Sequence, residues 1–277
     1  MDSKRLDNNV ISNPHSERVK NLTKLSRRSV RYKQKKFLVE GPQSVREALK
    51  YHRQYGGLVR NIYLSVKAKS NNRDIYTLLK ELKLPIFTVT EEILAKISPD
   101  NAHQGWVAEC NMDNFTKRLA NLVANKPKLL VYLENLRDPG NVGTIIRVAD
   151  ASGAAGVILS AESVDIFNSK VIRSTAGSLF HLPIVLDQDA SAVITACSKY
   201  NIQSFATDGY SPNNLFELES LAEPTLWVMG NEAHGATDEI KSKVDKTVSI
   251  PMYGQAESLN VATAATVCLY VSAKEQH

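Results

Sequence analysis

LLVYLENLRDPGNVGTIIRVADASGAAGVILS, residues 129–160, decides the fold. The run LLVYL (129–133) is apolar at every position, as is most of GVILS (156–160). Neither run alternates, so each reads as a strand buried on both faces. Between them lies a polar loop, ENLRDPGN, and then VGTIIRVADAS with helical spacing. Strand, helix, strand at this spacing predicts two parallel strands joined by a crossover helix. Asn141 stands where an N-cap is expected, and Arg147 follows six residues later, at the end of the second turn. The bland reading of Arg147 is a surface arginine paired with Asp138 or Asp150.

The same alternation continues on both sides. Downstream, PIVL (183–186), QSFAT (203–207), TLWVMG (225–230) and TVSIP (247–251) read as strands. Segments 168–177, 189–200, 236–243 and 258–274 read as helices. Upstream, 15–28, 42–52, 70–84 and 91–98 read as helices, and KFLVEG (36–41), VRNIYLS (59–65), IFTVT (86–90) and QGWVAEC (104–110) as strands. The expected architecture is therefore a small α/β domain over 1–112, a connector over 113–127 closed by Pro127, and a parallel-sheet α/β domain over 128–277. Helix 258–274 is nearly uncharged until Lys274, which predicts burial on several sides and suggests a homodimer through the C-terminal domain.

Charge is unevenly spread. The chain has 277 residues and a net charge of +5. Residues 1–60 carry 15 Lys/Arg against 5 Asp/Glu, so the remainder is net acidic. The basic run is densest in RRSVRYKQKKF (27–37), which points to nucleic acid and makes Arg27, Arg28, Arg31, Lys35 and Lys36 the candidate contacts. A solvated helix face is the plain alternative. No apolar run approaches the roughly 20 residues of a membrane span, and the first residues lack the apolar core of a secretory signal. Cys110, Cys197 and Cys268 form no CxxC pair, so neither a zinc site nor a disulfide framework is expected. A cytoplasmic location, with no metal and no membrane partner, follows as the default.

Three polar loops fall at carboxyl ends of strands, where open parallel sheets bind ligands. The first is ENLRDPGN. The second is VMGNEAHGAT (228–237), in which two glycines flank Glu232 and His234; His234 reads as incidental. The third is SIPMYGQAESLNVA (249–262), with an exposed-looking MYGQAE and with Ser258 expected at the cap of the last helix. Ser258 and Asn260 would then lie beside a helix N-terminus. No GxGxxG spacing and no GK[ST] occurs, so neither a dinucleotide fingerprint nor a P-loop is present.

NLRDPGNVGTIIRVAD, MGNEAHG and IPMYGQAESLNVA resemble the three ordered motifs of the SpoU (TrmH) RNA 2'-O-methyltransferases. KFLVEGPQSVREAL resembles the ribosomal-protein-like substrate-binding domain that precedes many of these catalytic domains, and 168–184 resembles the segment between motifs. The resemblance covers nearly the whole chain after about residue 20. It implies a SPOUT-type deep trefoil knot and an S-adenosyl-L-methionine site lined by Gly230, Ile250 and Leu259. It also implies a polar active-site set of Asn141, Arg147, Glu232, Ser258 and Asn260. The implied reaction is methyl transfer to a ribose 2'-hydroxyl, in ribosomal RNA first and transfer RNA second. The family's proposed general base corresponds to Arg147. A guanidinium holds its proton so strongly that a bidentate phosphate and oxyanion clamp is the milder role. Two other function classes remain: a non-catalytic RNA-binding protein of the same fold, which intact motif residues disfavour, and a small-molecule enzyme, which the basic N-terminal segment disfavours.

Overall fold

The computed structural model describes residues 10–277 apart from Asn101, Asn114 and 232–234. The chain forms two compact units. The first comprises Met1–Phe115 and Asp165–Phe180, the second Thr116–Val164 and His181–His277. The division falls at 115/116. Asp165–Phe180, expected inside a continuous domain over 128–277, packs with the first unit.

In the first unit the elements are α1 (Glu17–Lys24), α2 (Arg28–Gln34), β1 (Lys36–Glu40), α3 (Pro42–Tyr55), β2 (Val59–Ser65), α4 (Ala68–Asn71), α5 (Arg73–Leu82), β3 (Ile86–Val89), α6 (Glu91–Ile97) and β4 (Trp106–Asn111). The sheet order is β1-β4-β2-β3, antiparallel except for the β2–β3 pair. Val19, Leu22 and Leu25, at the spacing read from sequence, bury against Leu38, Tyr63, Val107 and the α6 residues Ile93, Leu94 and Ile97. The single helix expected over 70–84 is two, because Asn72 adopts φ −132, ψ 68 and breaks the ladder.

The Asp165–Phe180 segment is held by aromatic packing and charge. Phe167 lies 4.7 Å from Phe37 between ring centroids, and Phe180 5.8 Å from Phe115. Arg31 Nε donates to Asp165 Oδ2 (3.1 Å), and both side chains are almost fully buried. Arg173 bridges Glu40 and Asp100, each at 2.9 Å.

The second unit contains α7 (Leu119–Ala124), β5 (Leu129–Leu133), α8 (Pro139–Ala151), β6 (Gly156–Leu159), β7 (Ile184–Val185), α10 (Ala190–Ser198), β8 (Gln203–Thr207), β9 (Thr225–Met229), α11 (Asp238–Lys243), β10 (Lys246–Val248) and α12 (Val261–Gln276); α9 (Ser169–Ser174) belongs to the first unit. All six strands are parallel, in the order β10-β8-β9-β5-β6-β7. Central strands β5 and β9 are buried at every position, which explains their unbroken apolar runs. One face packs Leu130, Tyr132, Leu226 and Val228 against α7, α10 and α11. The other receives α8 and α12; there the Trp227 indole N–H donates to Ser272 on α12 (2.9 Å).

Candidate active site at the carboxyl edge of the parallel sheet

The first loop begins where β5 ends. The Glu134 amide donates to the Met229 carbonyl at the end of β9 (2.9 Å). Asn135 then takes a left-handed conformation, φ 53, which asparagine tolerates better than most residues. Its amide donates to Ser160 Oγ beyond β6 (2.9 Å), and that hydroxyl donates back to Asn135 Oδ1 (3.0 Å). Buried Leu136 anchors the turn.

The helix starts earlier than the sequence suggests. Asp138 is the N-cap of α8: its Oδ1 accepts from the Asn141 amide (2.8 Å), with Pro139 at the first helical position. Asn141, expected as the cap, therefore sits inside the first turn. This change frees its side chain for another task, and Asn141 Oδ1 accepts from Asn260 Nδ2 (3.1 Å), 119 residues away in sequence.

Val142, Ile145, Ile146 and Ala149 form the buried face of α8, and Thr144 and Arg147 are exposed. The two carboxylates weighed as partners for Arg147 are used otherwise. Asp138 caps the helix, and Asp150 Oδ2 pairs with His181 Nδ1 (2.7 Å).

In the second loop, Gly230 is required by space. A Cβ there would lie 2.0 Å from the Ala236 amide nitrogen and from the Gly235 carbonyl carbon. The Gly235 amide closes the loop on the Asn231 carbonyl (2.8 Å), and Asn231 Nδ2 donates to the Asn135 carbonyl (2.9 Å). Glu232 and His234 lie outside the described residues.

The third loop leaves β10 through Ser249, whose amide donates to the Asn213 carbonyl (2.8 Å). The chain from Ile250 to Leu259 has no regular structure. Helix α12 is capped by Asn260, not by Ser258: Asn260 Oδ1 accepts from the Ala262 amide (2.9 Å). Ser258 lies exposed two residues before the cap. Asn260 thus caps its own helix with oxygen and holds Asn141 with nitrogen. Ile250 and Leu259 are half-buried, and among the described residues their amides and carbonyls have no backbone partner. Half-buried backbone groups call for partners. S-adenosylmethionine, whose adenine edge carries both donors and acceptors, is a group that such amides and carbonyls would hold.

The structure thus links first loop to third through Asn141–Asn260, and first to second through Asn135–Asn231. Asn135 and Ser160 were not singled out in the sequence; an Asn two residues after a buried strand is the only signal they give. Glu134 sits at the same edge. Burial raises its carboxyl above the usual range, and the Asp189 and Glu239 charges add to this, while the Tyr132 hydroxyl bond opposes it. Among the described residues no group of three or more His, Cys, Asp or Glu side chains could hold a metal ion, and no helix is long and apolar enough to cross a membrane.

The proposed nucleic-acid contacts divide. Arg27, Arg28 and Lys35 are exposed. Arg31 is not available: it is 4% exposed and committed to Asp165 and to the Leu25 and Ser26 carbonyls. Lys36 is half-buried and pairs with Glu109 (2.7 Å). A basic run on a short helix must point some members inward, and its charge pattern alone does not tell which.

Residues 128–270 match the SpoU rRNA methylase family, and residues 38–116 match the RNA 2'-O ribose methyltransferase substrate-binding family. The chain is 31% identical over 263 residues to the 23S rRNA (guanosine(2553)-2'-O)-methyltransferase RlmP of Bacillus subtilis, covering 94% of this chain and 97% of that one. It is 37% identical over 151 residues to the 23S rRNA (uridine(2479)-2'-O)-methyltransferase of Streptomyces viridochromogenes, covering 53% and 52%. Among solved structures, the AdoMet-bound rRNA methyltransferase from Sinorhizobium meliloti superposes with a TM-score of 0.83 at 25% identity, covering 96% of this chain and 97% of that one. The AdoMet complex of AviRb from Streptomyces viridochromogenes gives 0.80 at 29% identity, covering 94% and 99%. With both family matches in chain order and the three loops joined at one sheet edge, the chain belongs to the SpoU family of RNA 2'-O-methyltransferases and is an enzyme that takes its methyl group from S-adenosylmethionine.

Proposed function

We propose that the enzyme methylates a ribose 2'-hydroxyl of ribosomal RNA in the cytoplasm, with Asn141, Arg147, Glu232, Ser258 and Asn260 around the reacting ribose and Gly230, Ile250 and Leu259 holding the cofactor. The observation that carries this reading is the Asn260–Asn141 hydrogen bond, which joins the first and third loops into one site. The names of two relatives, RlmP of Bacillus subtilis and RlmB of Nitrosomonas europaea, specify 23S rRNA and favour ribosomal over transfer RNA.

Bound S-adenosylmethionine supplies a methyl group made electrophilic by its sulfonium. The chain's own contribution is to hold the hydroxyl in line and to stabilise the charge it develops as its proton leaves. Arg147, exposed and not engaged by Asp138 or Asp150, is suited to grip a substrate phosphate bidentately beside that oxygen. Asn141 and Asn260 fix each other's amides, so their polar atoms are pre-oriented before RNA arrives. Arg27, Arg28 and Lys35 supply positive charge to the first unit; Lys36 contributes only if it gives up Glu109.

The C-terminal region closes a trefoil knot in this reading. In support, the chain leaves the sheet at edge strand β10, returns to pack α12 against central strands β9 and β5, and is tied on the way to the 208–215 loop by the Ser249 and Leu215 amides. Helix α12 also supports a homodimer. Thr263, Tyr270 and Lys274 are exposed along one stripe, and Val267 on that stripe is half-exposed. Light scattering should give about twice 30.7 kDa; the single-chain mass would reject the dimer.

Incubation of the enzyme with methyl-tritiated S-adenosylmethionine and ribosomal RNA from a strain lacking the gene should place label in 2'-O-methylnucleosides. Label confined to transfer RNA, or to a base, would overturn the assignment.

A further inference from the structure

Three large aromatic side chains lie exposed in two loops of the second unit: Tyr210 at 98%, Phe216 at 52% and Tyr253 at 87%. The first two belong to the connection after β8, the third to the loop between Ile250 and Leu259. These loops are tied together. The Asp208 amide donates to the Val248 carbonyl (2.9 Å), the Leu215 amide to the Ser249 carbonyl (2.9 Å), and Ser211 Oγ to the Thr247 carbonyl (2.7 Å). Tyr210 therefore stands between two fixed points on the β10 exit. Tyr253 follows Ser249 by four residues, at most about 14 Å of extended chain. Strands β8 and β10 are neighbours in the sheet, and both loops leave their carboxyl ends. The loop bearing Tyr253 then runs into Ser258 and into Asn260, which is bonded to Asn141.

Nothing in the packing needs these rings: at 98% and 87% exposure Tyr210 and Tyr253 cover no core. Flat, amphipathic rings held out into water, on loops tied together and leading to Asn260, match what unstacked RNA bases bind. Single-stranded RNA is read largely by stacking bases on aromatic side chains, whatever their sequence.

We propose that Tyr210 and Tyr253 form a stacking platform for the bases flanking the target nucleotide, keeping that stretch of RNA single-stranded while its ribose is presented to the first and third loops. The proposal rests on the methyltransferase reading of the same site. It goes beyond that reading by adding a contact to bases, which the phosphate-gripping and ribose-holding residues do not make.

The test uses the full-length protein and binding alone, so that it does not depend on turnover. Two fluorescein-labelled probes of equal length are compared: an oligoadenylate and the corresponding abasic ribose-phosphate chain. The wild-type protein should bind the oligoadenylate more tightly. The Y210A/Y253A variant should lose on the order of ten-fold or more in oligoadenylate affinity per ring, and bind the abasic chain as the wild type does. The Y210F/Y253F variant, which keeps the ring faces, should retain the preference for bases. S-adenosylmethionine affinity and the mass from light scattering should be unchanged in both variants. Equal losses on both probes, an unaltered preference for bases in Y210A/Y253A, or a change of mass that shows the rings to be a subunit contact would each overturn the platform. None of these results would bear on whether wild-type enzyme methylates ribose.

Discussion

Arg147 is exposed on α8, and among the described residues it makes no ion pair, while Asp150 pairs with His181 and Asp138 caps the start of α8. Arg147→Ala should therefore lower kcat by about 100-fold or more, the scale of losing a donor to a developing oxyanion, with little change in melting temperature. Near wild-type turnover in the purified variant would remove Arg147 from the chemistry. A second prediction concerns two histidines of the first unit. His103 and His52 both titrate below the usual 6.5 because burial disfavours the charged ring; for His103 the Glu91 and Glu40 charges pull weakly the other way. In both, Nδ1 accepts from a backbone amide, Gly105 for His103 and Val59 for His52, each at 2.9 Å. Protonation would turn that acceptor into a donor facing a donor. The unfolded chain takes up protons first, so stability is complete above about pH 6.5 and falls as the pH drops toward the folded values. The H52Q/H103Q variant, whose amide oxygens can still accept, should show a flatter decline in melting temperature between pH 7 and 5. An unchanged decline would assign the acid sensitivity elsewhere. At this scale the sequence was a fair guide to residue types and a poor one to caps. Asn141 and Ser258 looked like caps because Asn and Ser favour that place, yet Asp138 and Asn260 are equally good cappers and stand where the backbone turns.

The strands were legible because the central ones are buried on both faces and carry unbroken apolar runs bounded by polar loops. The inserted segment was not. Residues 168–177 read as one more helix of an alternating series, and only long-range partners show that Asp165–Phe180 belongs with the first unit. Its anchors are Asp165 against Arg31, and Phe167 and Phe180 among Phe37 and Phe115. Arg31 looked like an RNA contact for the same reason, since a buried arginine and an exposed one carry the same letter. The two readings differ in what substitution does. Asp165→Ala leaves the Arg31 guanidinium buried without its carboxylate, which should destabilise the first unit by roughly 3–5 kcal/mol. Arg31→Met together with Asp165→Leu, which removes both charges, should recover much of that loss in chemical denaturation. A single Asp165→Ala variant as stable as wild type would show that the pair is not closed to water.

At the level of the whole chain, charge is segregated: the basic surplus lies in the first 60 residues and the acidic remainder beyond. A fragment starting at 116 would not separate RNA binding cleanly from catalysis, because it would carry Asp165–Phe180 without Phe37, Phe115 or Arg31 to bury it. Salt dependence in the intact protein is the better measurement. Each phosphate neutralised on a single strand contributes about 0.7 to the slope of log affinity against log salt, and on a duplex about 0.9. Arg27, Arg28 and Lys35 are exposed and close in sequence. If each neutralises a phosphate, the R27A/R28A/K35A variant should lose about two to three units of slope on ribosomal RNA. Lys36→Ala should lose less, since its ammonium lies 2.7 Å from Glu109 and must leave that carboxylate to reach a phosphate. Arg31→Ala should leave the slope of the folded protein unchanged while lowering its stability, because the guanidinium is buried against Asp165. Slopes that fall equally for all five residues would mean that the basic run acts as undirected charge, and that the buried pair opens when RNA binds.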